Sequence, residues 1–188
     1  MANEIKYGDL IHLQNGYNDW AGGYLDTNGH RPAPAKYGVS TADTPTRGPG
    51  TGTWEVLSAE GKTDGTTVIS GDVVYLRNLY QDDGGYLDTN GHASDDQKRS
   101  GGRYDVSTSP GKDRGEGTGR WRIFAQTSSP TDQAVRLGDV LLLWNLYSSG
   151  SFLETNSTAG PGLYDVCTNA YFNRAEDVTL WKALTAEA

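Results

Sequence analysis

Three carboxylates recur in this chain in matching company, and they are the first residues whose types and spacing suggest chemistry. Asp26, Asp88 and Glu154 each stand two residues before an asparagine: Asn28, Asn90 and Asn156. His30 and His92 close the first two groups, within an identical string Gly-Gly-Tyr-Leu-Asp-Thr-Asn-Gly-His at 22–30 and 84–92. Another asparagine precedes each group, at Asn15, Asn78 and Asn145, with a tyrosine two residues later at Tyr17, Tyr80 and Tyr147. A carboxylate accepts hydroxyl protons, a carboxamide donates and accepts, and an aromatic face covers an apolar C–H patch. Those are the groups a saccharide needs. Several shallow sites on one rigid body also reinforce one another against a multivalent glycan.

The same residues have a structural reading. Asparagine at a strand end caps turns through bonds to its own backbone. Arginines recur as well, at Arg47, Arg114 and Arg174, and can pair with the three carboxylates.

Catalytic groupings are missing from the sequence. Of the three histidines, His12 lies inside an apolar run, where the matching residues are Tyr75 and Leu142, and reads as a packed residue. His30 and His92 belong to different repeats, so a nucleophile and its base would have to be assembled between repeats. Glycosidase chemistry needs two carboxyls about 5 to 10 Å apart across one bond, and acids distributed one per repeat do not meet that. No phosphate-binding loop, zinc-protease helix or calcium-loop pattern occurs. The glycine-rich pieces at 48–52 and 115–119 precede strands and read as turns. No enzyme, no cofactor and no metal are expected.

The elements that must position these groups come in three copies. Tyr37, Val39, Thr41, Arg47 and Trp54 recur as Tyr104, Val106, Thr108, Arg114 and Trp121, then as Tyr164, Val166, Thr168, Arg174 and Trp181. Valine to tryptophan is 15 residues each time, whereas the gap from the Tyr-Leu or Phe-Leu aromatic to that valine is 15, 20 and 14. A period of this size indicates a repeated supersecondary unit. The varying gap marks one surface loop per repeat, longest at 93–102 in the second.

Each unit reads as four short strands. The first is an apolar run (10–13, 73–76 and 140–143). Gly-Tyr-Leu-Asp-Thr and its counterparts form the second. The third is Tyr-x-Val-x-Thr, whose alternation places Tyr, Val and Thr on one face, and the fourth surrounds the tryptophan. Turn-forming residues separate them, and no helical apolar stripe is sustained.

Composition narrows the class. The chain has 188 residues, 25 of them glycine, and a net charge of −8. That acidity argues against a nucleic-acid partner, since phosphate binding needs a basic stripe. No apolar run reaches the roughly 20 residues of a membrane helix, so no membrane insertion is expected. Residues 1–4 lack the basic start and apolar core of a signal peptide; the product is expected in the cytoplasm as synthesised, with later release left open. Cys167, which stands where the other repeats have Ser40 and Ser107, reads as a small buried residue.

Twelve short strands in three copies resemble the β-trefoil. The strings Val74-Tyr75-Leu76-Arg77-Asn78 and Gly85-Tyr86-Leu87 resemble ricin-B-type lectins, MIR domains and the fascin group. The Gln-x-Trp motif of ricin-B repeats is absent: Gly52, Gly119 and Thr179 stand two residues before the tryptophans. Arg114 through Trp121 is similar to MIR-like repeats. The resemblance implies a non-enzymatic recognition module, most often for glycans.

The expectation is therefore a single all-β domain spanning 1–188, a β-trefoil of three pseudo-symmetric four-stranded repeats near 5–58, 68–125 and 135–184. Its expected function is that of a lectin for glycans or glycoproteins. The candidate ligands are Asp26, Asn28, His30, Asp88, Asn90, His92, Glu154, Asn156, Tyr17, Tyr80 and Tyr147. The third repeat changes five positions of the shared nonapeptide, including Asp to Glu154 and His to Thr158, so its site is expected to be weak or absent. The alternative is a protein-binding trefoil, a protease inhibitor or cytoskeletal module, acting through the long loop at 93–102.

Overall fold

The computed structural model describes residues 3–126, 132–158 and 162–186. Twelve strands follow in order: β1 (Leu10–Asn15), β2 (Tyr24–His30), β3 (Tyr37–Ala42), β4 (Trp54–Ser58), β5 (Val73–Asn78), β6 (Gly85–His92), β7 (Gly102–Ser109), β8 (Trp121–Ala125), β9 (Val140–Asn145), β10 (Ser151–Thr158), β11 (Tyr164–Asn169) and β12 (Trp181–Thr185). Helical structure among the described residues is limited to single turns at 17–20, 80–82 and 95–99. Among the described residues no helix is long and apolar enough to cross a membrane.

All twelve strands belong to one antiparallel sheet. This corrects the expected β-trefoil of three four-stranded repeats, although the all-β class holds. The fourth strand of each expected repeat makes its longer ladder with the first strand of the next: five pairs each in β4–β5, β8–β9 and β12–β1. With the first strand of its own repeat it makes two. Pairing therefore runs through the repeat boundaries and closes the sheet into one barrel, because each tryptophan strand is an edge that only the following strand covers fully.

The core is the apolar set that recurrence singled out. Leu25, Leu87 and Leu153, Val39, Val106 and Val166, and Trp54, Trp121 and Trp181 are all buried in one cluster. Each indole donates its N–H to a leucine carbonyl, Trp54 to Leu25 and Trp121 to Leu87 at 2.9 Å and Trp181 to Leu153 at 3.0 Å. A buried indole must find such a partner. Every residue of β3 is buried, so the strand is covered on both faces. The Asn28 amide donates to Ser40, and β7 and β11 pair alongside.

The 93–102 segment contains a short helix with exposed Asp95, Asp96, Lys98 and Arg99 that is anchored from below. Ser94 and Gln97 form a reciprocal capping box around the helix Asp95–Arg99. Gln97 is buried and donates its amide to Asp165 at 2.8 Å. The extra residues are docked onto the third-repeat strands.

Leu87→Ala should cost about 2–5 kcal/mol, the range for emptying a fully buried leucine site. Urea denaturation measures it, and a loss well under about 1 kcal/mol would contradict the packing described.

Candidate functional site

The site is built from the asparagines that end the first strands. Asn78 is fully buried at the end of β5. Its amide donates to the carbonyls of Thr51 (2.8 Å) and Thr53 (3.3 Å), in the loop that precedes β4. Its carbonyl oxygen accepts from the Thr27 hydroxyl at 3.1 Å and from the Tyr80 N–H at 3.0 Å. The carboxamide thus ties the first repeat to the second and holds Tyr80 against the first. Gly84 lies so close that any Cβ there would strike the Asn78 side chain.

The arrangement recurs twice. Asn145 holds Thr118, Arg120, Thr89 and Tyr147. Asn15 holds Val178, Leu180, Thr155 and Tyr17. Their expected turn-capping role is present, and it is only part of what they do.

Beneath each junction lies a carboxylate. Asp26, Asp88 and Glu154 are at most 1% exposed. Arg47 donates two bonds to Asp26 Oδ1, at 2.9 and 2.7 Å, and one to the Thr27 carbonyl at 2.7 Å. Arg114 does the same with Asp88 and Thr89, whereas Arg174 donates to both oxygens of Glu154 through Nε alone and to the Thr155 carbonyl through Nη2. The structural alternative for the carboxylates is the one seen: they anchor arginines from below and present no surface to a ligand. Burial raises the carboxyls of Asp26 and Asp88 above the ordinary 3.8, outweighing the opposing pull of Thr51 and Arg47 on Asp26 and of Thr118 and Arg114 on Asp88. Cys167, buried beside Glu154, has its thiol pushed well up by burial, consistent with a packing role.

Above the arginines open three pockets at matching places. The first, about 320 Å³, is lined by Asn28, His30, Tyr37, Arg47, Thr51 and Tyr80, among others. His92, Tyr104, Arg114, Thr118 and Tyr147 line the second, about 280 Å³. The third, about 270 Å³, has Tyr17, Asn156, Tyr164, Arg174, Glu176 and Val178. Two tyrosines stand edge to face in each, with centroids 5.3 Å apart for Tyr37–Tyr80 and 5.2 Å for both Tyr104–Tyr147 and Tyr17–Tyr164. A histidine ring lies against the inner tyrosine in the first two, His30 on Tyr37 at 4.7 Å and His92 on Tyr104 at 5.8 Å.

The sequence-based grouping changes in three ways. The tyrosine that follows each asparagine serves the pocket of the preceding repeat, so Tyr80 joins His30, Tyr147 joins His92, and Tyr17 joins Asn156. Asn28 and Asn156 line their pockets, whereas Asn90 is outside the lining of the second. Asn156 is also drawn inward, its amide 3.1 Å from Glu154 Oε1. The side chain of Thr158, which replaces the histidine in the third repeat, lies outside the described residues.

The inner tyrosines, the arginines and Thr51 and Thr118 were not among the candidates. The tyrosines and arginines recur in all three repeats as the carboxylates do, and the threonine in the first two. The hairpin also offered a cue: His30 and Tyr37, and His92 and Tyr104, are cross-strand partners.

No family model and no curated protein matches the chain. Solved structures do match in fold. An SDF2-like protein from Arabidopsis thaliana has TM-score 0.73 and 19% identity, covering 96% of this chain and 94% of that one. A Caenorhabditis elegans protein of unknown function has TM-score 0.75 and 14% identity, covering 97% of each chain. The S. cerevisiae protein O-mannosyltransferase Pmt1-Pmt2 complex bound to the sugar donor has TM-score 0.69 and 19% identity, over 96% of this chain and 25% of that one. At such identities the likeness establishes the fold alone.

The raised carboxyl of Asp88 has a definite sign. A group whose folded value lies above its unfolded one stabilises fully below the unfolded value, and that contribution is lost as pH rises through the folded value. The Asp88→Asn variant should therefore gain on the wild type between pH 3 and pH 7, as followed by urea denaturation. If it loses ground over that interval, the ion pair with Arg114 outweighs burial.

Proposed function

We propose that this protein is a non-enzymatic saccharide-binding module, with two similar sites at the first and second pockets and a divergent third. The observation that carries this reading is the repeated wall of two tyrosines and a histidine over an anchored arginine. Tyrosine faces suit the C–H patches of a pyranose. Imidazole, guanidinium, threonine hydroxyl and the Asn28 amide supply directional donors and acceptors around the rim. Neither of the first two linings contains a carboxylate to act as acid or nucleophile, which favours binding over glycoside cleavage. The third lacks the histidine and carries Glu176 and Val178 in place of Pro49 and Thr51, in keeping with a weaker site.

Glycans and glycoproteins are the partners this reading supplies. Two sites on one rigid body would hold a branched glycan more firmly than either alone.

One observation favours the protein-binding alternative. Tyr171 and Phe172 are 66% and 50% exposed, and Phe172 packs on Phe152, which in turn packs on Trp144. That aromatic face lies in the third repeat, and none of its residues lines the first two pockets.

A glycan array with free-sugar competition tests the saccharide reading. The double variant His30→Ala/His92→Ala removes two exposed side chains, so its thermal midpoint should stay at the wild-type value. Its affinity for the selected sugar should fall about tenfold, as expected for one lost hydrogen bond and ring contact per site. A flat array, or unchanged affinity in the variant, would overturn the proposal.

A further inference from the structure

The three pockets share their geometry and differ in charge. In each, the formal charge of the arginine is matched by the carboxylate beneath it, Arg47 by Asp26, Arg114 by Asp88 and Arg174 by Glu154. What distinguishes them is the residue before the inner tyrosine and the residue two after the arginine. In the first pocket these are Lys36 and Pro49. Lys36 lies 6.0 Å from the Tyr37 ring and is paired with Asp83 at 2.9 Å. In the third they are Leu163 and Glu176, and Glu176 is part of the lining.

The second pocket has Arg103, whose guanidinium lies 5.7 Å from the Tyr104 ring. Its partners are neutral: the Gly150 carbonyl at 2.9 Å and the Ser149 hydroxyl at 2.7 Å. No carboxylate among the described residues pairs with it. Neither Arg103 nor Glu116, the exposed counterpart of Glu176, is part of the lining itself; Arg103 borders the pocket through the Tyr104 ring, which it overlies. The neighbouring Asp113 is paired with Arg120 at 2.9 Å. The second pocket therefore has one cation in excess at its edge, the first is balanced, and the third has an anion in excess. This occurs on a chain whose net charge is −8.

Building on the saccharide reading, we infer that the second pocket selects an acidic saccharide, a sugar ring bearing a carboxylate, with Arg103 as the residue that reads the acid. The ring lies between Tyr104 and Tyr147, and the carboxylate turns toward Arg103. Nη1 of Arg114 makes no hydrogen bond to protein among the described residues, because Nε and Nη2 hold Asp88 and the Thr89 carbonyl. It offers the sugar a second donor in a fixed place. A guanidinium suits this task because its planar fork matches a carboxylate and it stays charged at all working pH values. The first pocket takes neutral sugars as well as acidic ones, since a ligand acid must compete there with Asp83 for Lys36. The third disfavours an acid through Glu176.

The two pocket histidines are built-in reporters, one per pocket. The test is an NMR titration of their ring signals at pH 7.5 with glucuronate and, separately, with glucose. Glucose should move His30 and His92 with similar midpoints. Glucuronate should move His92 at a concentration about fivefold lower than His30, the gain expected when a neutral hydrogen bond becomes a charge-assisted one. That advantage should shrink between about 0.05 M and about 0.5 M NaCl, since a rim charge is screened by salt. In Arg103→Gln the His92 midpoint for glucuronate should return to the glucose value, with the glucose midpoint unchanged. Equal midpoints for both sugars at His92, or an acid preference that persists in Arg103→Gln, would overturn the inference and leave the saccharide reading standing. If neither sugar moves either histidine and the glycan array is flat, both fail together.

Discussion

The buried carboxamides of Asn15, Asn78 and Asn145 are the constraint on which the rest of the molecule depends. Each is fully buried and bonded through both its oxygen and its nitrogen to segments on two sides of a repeat boundary. A buried amide left without partners would cost several times what one surface hydrogen bond contributes. All of these groups must therefore be in place together, or the junction does not close. The consequence is positional: the tyrosine two residues on is delivered to the neighbouring repeat, and a pocket appears at the seam.

The carboxylate–arginine pairs form the floor of the same construction. Their charges are taken out of water, and a buried ion pair is weak evidence of net stability. The geometry suggests what they contribute instead. Each guanidinium is pinned through Nε and Nη2 to a carboxylate and a backbone carbonyl, which fixes a long, flexible side chain beneath an open pocket. A donor held in place before a ligand arrives loses little freedom when it binds. The acids thus fix the arginines that line the pockets.

Much of this is legible in the sequence, and the misreadings have physical causes. Leu25, Val39, Trp54 and their counterparts stand out as core because apolar residues held at fixed spacing in three copies must pack together to leave water. The arginine–carboxylate pairing is also visible as an alternative, from co-recurrence alone. What recurrence does not encode is which copy pairs with which. Tyr80 groups with Asp88 because they are close along the chain, yet the β4–β5 ladder places it beside His30. For the same reason the repeat reads as a self-contained four-stranded unit, while each fourth strand makes its longer ladder with the first strand of the next repeat. Tyr37 falls on a strand face, since alternation does not reveal that β3 is covered on both sides and that its first residue faces a pocket. The helix at Asp95–Arg99 is hidden by its polar composition. Its signal is local, a serine followed three residues later by a glutamine.

The central claim is that each pocket is assembled across a repeat boundary by an asparagine-held tyrosine. The most direct measurement is an aromatic nuclear Overhauser spectrum with residue-specific tyrosine assignments, which needs no ligand. Cross-peaks are expected between the rings of Tyr37 and Tyr80, of Tyr104 and Tyr147, and of Tyr17 and Tyr164, whose centroids are 5.2 to 5.3 Å apart. Cross-peaks joining Tyr80 to Tyr104 and Tyr17 to Tyr37 instead, with the first set absent, would contradict it by placing each tyrosine within its own repeat.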